Sequence, residues 1–115
     1  MGPETAKAEV GNVSDADIEQ EIQDKKLTAL RITPQTIGDA ILDESYQRIQ
    51  GTTVTVCVLS LRNSFTVVGY SACVSEENFN AELGAKIAKQ KAFDKCWELL
   101  GFQLASEQSG FKLTA

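Results

Sequence analysis

Apolar and polar positions change period along the chain, and each change predicts an element. Residues 1–13 are small and polar, with Gly2, Pro3 and Gly11, which predicts a disordered tail. Ser14 is a good helix N-cap, with Asp15 and Asp17 in the turn that follows and Ile18 and Ile22 on one thin stripe. A second helix is expected after Thr33-Pro34, with Ile37, Ala40, Ile41 and Tyr46 as its apolar face. Residues 52–74 hold two β-branched runs about a turn at Asn63-Ser64, the pattern of a β-hairpin. Residues 79–100 return to helical period, with Asn78 as a possible cap and Gly101 as the expected stop. Residues 102–106 then read as a short edge strand. The fold class is α+β: short leading helices, an antiparallel hairpin or small sheet, and a long helix packed on it. Residues 14–115 are read as a single domain.

A two-residue loop at Asn63-Ser64 would pair Arg62 with Phe65 and Leu61 with Thr66. That register puts Thr55, Cys57, Leu59, Leu61, Thr66, Val68, Tyr70 and Ala72 on one face. The other face takes Val54, Val56, Val58, Ser60, Phe65, Val67, Gly69, Ser71 and Cys73. Both faces are largely apolar, so both need cover, and so short a chain hardly supplies two covers. The long helix is also two-sided. Ala81, Ala85, Ala88, Ala92, Cys96 and Leu99 line one side, and Leu83, Ile87 and Trp97 the opposite one. The expectation is a homo-oligomer.

Composition narrows the chemistry. The chain has 115 residues, no histidine and a net charge of -5. Without histidine there is no Ser-His-Asp triad and no histidine base or metal ligand. The charge is unevenly placed. Residues 1–50 hold ten acids and five bases, whereas residues 51–115 hold six of each. Global acidity excludes bulk binding to nucleic-acid backbones, yet leaves room for a local cationic site in the second half. Cys57, Cys73 and Cys96 are an odd number at no zinc spacing. With no apolar leader, they suggest reduced thiols and a cytoplasmic setting. No stretch approaches the ~18 apolar residues of a membrane span.

Catalysis finds little support. Glu76, Glu77 and Glu82 lie about a helix start, where the dipole favours acids in any case. No glycine-rich phosphate loop occurs, and no cofactor is implied. Binding is better served. Lys86, Lys89, Lys91 and Lys95 stand on the long helix, with Arg62 at the hairpin turn and Phe65, Tyr70 and Phe79 near in sequence. Fixed cations beside aromatic rings can hold a small phosphorylated base.

The segments LTALRITPQTIGDAI, TVTVCVLSLRNSFTVVGYSACV and NFNAELGAKIAKQKAFDKCWELLGF resemble a family of small phage and prophage proteins. Its pattern has a CVLxLxNGFxVxGxSAC hairpin, an NFxAExGxKIA helix and a KxWxLxGY ending. The likeness spans roughly residues 28–104. The chain is also similar to the phage anti-Thoeris sponges, which sequester cyclic ADP-ribose-type signals and, in some cases, cyclic di- or trinucleotides. Those proteins assemble as dimers or as hexamers built from dimers. The resemblance implies a non-enzymatic, homo-oligomeric phage protein with a signal-binding site shared between subunits, acting in the host cytoplasm. Matching positions are Arg31, Phe65, Asn78, Phe79, Glu82, Lys86, Lys95 and Trp97. Of these, Arg31, Phe65, Asn78, Phe79, Lys86 and Lys95 join Arg62, Tyr70 and Lys91 as the expected ligand residues. Ser64 stands where the family hairpin usually has Gly, Tyr70 where Glu is common, and Phe102 where Tyr is usual. A different expectation is an accessory protein that inhibits a host protein through its acidic leading half.

Overall fold

The computed structural model describes residues 14–26 and 29–114. The expected tail over residues 1–13 lies outside them. The chain divides into two compact units after Pro34. In the first, helix α1 spans Asp15–Asp24, and the Ser14 side chain accepts from the Asp17 amide, as its sequence position suggests. Beyond α1, Arg31 grips the Glu19 carboxylate with two bonds of 2.9 and 2.8 Å. This bidentate bond, helped by Gln23, lowers the Glu19 pKa to about 2.

The second unit is a three-stranded antiparallel sheet in the order β1-β2-β3, with a helix laid across one face. Helix α2 (Pro34–Ala40) leads into β1 (Ile41–Arg48), followed by β2 (Val54–Leu61), β3 (Thr66–Ala72) and helix α3 (Ala81–Ser109). The second helix therefore ends before Ile41, and Ile41 and Tyr46 lie in a strand. The reason is tertiary. The Arg62 amide donates to the Ala40 carbonyl at 2.9 Å, and its Nε donates to the Asp39 carbonyl at 2.6 Å. A cation from the hairpin turn thus takes up carbonyls at the end of α2. From there the chain pairs with β2, with a bulge at Leu42.

The hairpin register also differs from expectation. Ser60 pairs with Thr66 and Leu59 with Val67, one residue from the expected pairing. The Ser64 amide bonds the Leu61 carbonyl, the Leu61 amide bonds Phe65, and Ser64 takes φ 74°. The loop is thus Arg62-Asn63-Ser64, a turn closed by one left-handed residue, rather than a two-residue turn that needs two. The shift exchanges every β3 side chain between faces. Thr55, Cys57, Leu59, Leu61, Val67 and Ser71 are buried on the helix side. Val54, Val56, Val58, Val68 and Tyr70 share the other face, with Asp43, Ser45 and Gln47 of β1 at its polar margin.

Ala88, Ala92 and Cys96 of α3 are fully buried, the smooth stripe that the sequence predicts. They let the helix backbone approach Gly69 of β3 closely. A Cβ at Gly69 would sit 2.4 Å from the Ala88 carbonyl oxygen and from the Ala92 nitrogen. The helix differs from expectation at both ends. Asn80, not Asn78, is the cap, accepting from the Leu83 amide at 2.8 Å, while Asn78 lies in a 3₁₀ turn over Glu76–Asn78. Helix α3 passes through Gly101, so no strand forms at 102–106, and it stops at Gly110, which takes φ 77°. An interior glycine costs only about 1 kcal/mol relative to alanine, and good helix formers follow it. No helix among the described residues is long and apolar enough to cross a membrane.

Gly69→Ala should destabilise the chain by about 3 kcal/mol in chemical denaturation, because backbone rather than a flexible side chain fills the space. Ser64→Gly should stabilise it by about 1 kcal/mol, raising the melting temperature by several degrees. Carbon-detected NMR should find Glu19 titrating near pH 2. Its depressed pKa means the pair's contribution is present above the ordinary carboxylate range and is lost as pH falls towards 2. Arg31→Gln should return Glu19 to the ordinary range.

Candidate functional site

The expected ligand residues do not converge on one cavity. Arg31 belongs to the first unit and is committed to Glu19. The others fall into three places in the second unit.

The first place is the outer edge of β3. Among the described residues β3 pairs only with β2, so no described strand takes up its other edge. Lys95 reaches across from α3 and donates to the Val68 carbonyl at 2.6 Å. One helical turn earlier, the Lys91 ammonium stands 5.6 Å from the centre of the Tyr70 ring. Tyr70 is 59% exposed and Phe65 53% exposed, so both rings are available for stacking. Phe65 and Lys95 border the same shallow groove of about 440 Å³, with Thr66, Val68, Glu98 and Leu99. Four expected residues thus lie along one strand edge: Phe65, Tyr70, Lys91 and Lys95.

The second place is the approach to α3. Asn78 and Phe79 border a small hollow of about 70 Å³ with Ser71, Asn80 and Gly84. The Arg48 guanidinium lies over the Phe79 ring at 3.8 Å and is also bonded to Glu76 and to the Thr52 carbonyl. Arg48 was not among the expected residues. It is remote from Phe79 in sequence, and the helix expected near Tyr46 hid the strand that carries it there.

The third place is the hairpin tip, where Arg62 and Phe65 open onto a groove described below. Lys86 is exposed on α3. Its neighbour Lys89 pairs with Glu44 of β1 at 3.0 Å, so this lysine edge of the helix faces β1 and the Lys91–Lys95 edge faces β3.

Other titratable groups are structurally engaged. Glu44 accepts from Lys89 and from the Tyr46 hydroxyl, and the bond to Lys89 is the main cause of its lowered pKa. Burial, and then the bond to Glu44, raises the Tyr46 phenol. Burial raises the thiols of Cys57 and Cys96, the reverse of what an activated nucleophile needs. All three cysteines are unpaired. Among the described residues no group of Cys, Asp and Glu is placed to hold a metal.

Residues 32–108 match the model of a family described as phage protein (N4 Gp49/phage Sf6 gene 66). No curated protein and no solved structure matches the chain. The matched segment takes in α2, the sheet and almost all of α3, more than half of the chain. The chain therefore belongs to the phage protein (N4 Gp49/phage Sf6 gene 66) family.

Proposed function

We propose that this phage protein binds a cyclic nucleotide immune signal of the host and withholds it, without cleaving it. The observation that carries the reading is the β3 edge. There, the exposed Tyr70 ring stands beside the Lys91 ammonium, and the exposed Phe65 ring, directed to the other face of the strand, borders a groove with Lys95. A ring supplies a stacking surface for a base, and a fixed ammonium supplies charge for a phosphate. The resemblance to the anti-Thoeris sponges suggests the ligand class: a cyclic ADP-ribose isomer, or a cyclic di- or trinucleotide.

The edge is open, and a site open on one side binds weakly. A second copy would close it. The valine stripe of β2 and the exposed Val68 and Tyr70 give that copy an apolar surface to cover. In this reading the protein is a homodimer, or a hexamer built from dimers, in the host cytoplasm. It has no catalytic residue or cofactor. Its action is mass action: to lower the free signal stoichiometrically, the dissociation constant must reach about nanomolar, or ~12 kcal/mol.

A second reading has one observation in its favour. Helix α1 presents Asp17, Glu21 and Asp24 to solvent, a surface suited to a basic host protein. In that case the chain would inhibit a host protein by direct contact. Pull-down of a stoichiometric partner that is lost when these carboxylates are neutralised would favour it.

The deciding experiment is a thermal-shift panel of cyclic ADP-ribose isomers and cyclic di- and trinucleotides. A ligand at about a thousand times its dissociation constant adds ~4 kcal/mol, a rise of more than about 10 °C for a domain of this size. One of these ligands should give that rise and be recovered intact after heating. Tyr70→Ala or Lys91→Ala should abolish most of it. A panel with no stabilising ligand overturns the reading, and recovery of a cleaved product overturns its non-enzymatic part.

A further inference from the structure

Helix α3 continues past the sheet, and its last turns meet the hairpin tip and the segment after Gly110. Between them lies an open groove of about 690 Å³. Leu61, Phe65, Leu99, Phe102, Phe111 and Leu113 supply most of its lining. Phe102 is 66% exposed and Leu113 83%, which is unusual for so many large apolar side chains gathered in one place. The volume falls within the ~300–1,000 Å³ range of small-molecule sites.

The polar side chains at this groove are Arg62, Asn63, Gln103 and Ser106, and Gln103 donates its NH₂ to Glu107 at 3.0 Å. Arg62 is the one charged side chain among its lining residues, and no carboxylate borders it. The Arg62 Nε is held by the Asp39 carbonyl at 2.6 Å, which fixes the guanidinium. Its two terminal amino groups make no hydrogen bond among the described residues. The Asn63 Oδ1 is taken by the Phe65 amide at 3.0 Å, which leaves that side chain its NH₂ group to offer. An apolar trough with one anchored cation at its wall is complementary to an apolar body that carries a single anionic end. A ligand with several phosphates fits it poorly, since one cation would face multiple charges against an apolar lining.

We infer that the hairpin-tip groove is a second binding site, which takes an apolar chain ending in a carboxylate, a medium-chain fatty acid being its simplest form. The acyl chain lies along Leu99, Phe102 and Leu113, and the carboxylate accepts from the Arg62 amino groups. The site differs from the nucleotide reading in its cation, Arg62 in place of Lys91 and Lys95, while Phe65 and Leu99 border both grooves.

The test is calorimetric titration of the full chain with octanoate, decanoate and dodecanoate below their micellar concentrations. 1-Decanol serves as the uncharged probe, and amide NMR shifts locate the site. Binding should saturate at one ligand per chain and tighten about fourfold per added methylene. Decanol should bind at least about tenfold more weakly than decanoate. Arg62→Gln should remove that difference. Because Arg62 also holds the end of α2, Phe102→Glu is the second variant. It sits on an exposed position and should repel decanoate more than decanol. Absent or non-saturating binding, equal affinity for acid and alcohol, or shifts confined to residues outside the groove would each overturn the assignment.

Discussion

The structure depends on the close approach between α3 and the sheet at Gly69. Ala88 and Ala92 bring the helix backbone so near β3 that no side chain fits between them. Interiors this tight deform little. The contact therefore fixes the rotation of α3, and rotation decides where its lysines go. With the alanine stripe against the sheet, Lys89 meets Glu44 at one side and Lys91 and Lys95 meet β3 at the other. Buried small residues thus set the placement of exposed charge.

The same contact leaves surfaces without cover. Helix α3 packs on one face of the sheet, and the valines of β2 on the opposite face are half-buried. Helix α3 has 29 residues, about 43 Å. The eight residues of β2 span about 27 Å. The helix must overshoot the sheet, and the overshoot builds one wall of the hairpin-tip groove. A half-buried valine stripe flanked by exposed Val68 and Tyr70, an open strand edge and an apolar groove are costly features for a free monomer. They are accounted for if the chain uses them to bind.

Much of this was legible in the sequence where the local signal and the tertiary outcome agree. The Ser14 cap, the Thr33-Pro34 helix start, the β-branched runs and the alanine stripe of α3 each follow from short-range chemistry. The misreadings have a common cause. Strand β1 carries polar residues on both faces, because its inward positions make polar contacts: Glu44 with Lys89 and the Tyr46 hydroxyl, and Arg48 with Glu76 and the Phe79 ring. Without alternation there was nothing to mark it as a strand. The hairpin lies one residue from the expected register because a single left-handed residue, Ser64, closes a three-residue loop, a conformation that serine does not signal as glycine does. Gly101 drew attention as a stop that Gly110 in fact supplies. As for the site, residue types pointed to cations beside rings, and Tyr70 with Lys91 meets that description. Spacing alone could not show that Arg62 and Phe79 lie elsewhere.

The central claim is that the uncovered sheet face and the open β3 edge are closed by a second copy, which completes the ligand site. Light scattering coupled to size exclusion addresses it directly, since the full chain has a mass of 12.5 kDa. The account predicts a single species at twice that mass or a higher even multiple, maintained on dilution to micromolar protein. A species of 12.5 kDa under those conditions would contradict it.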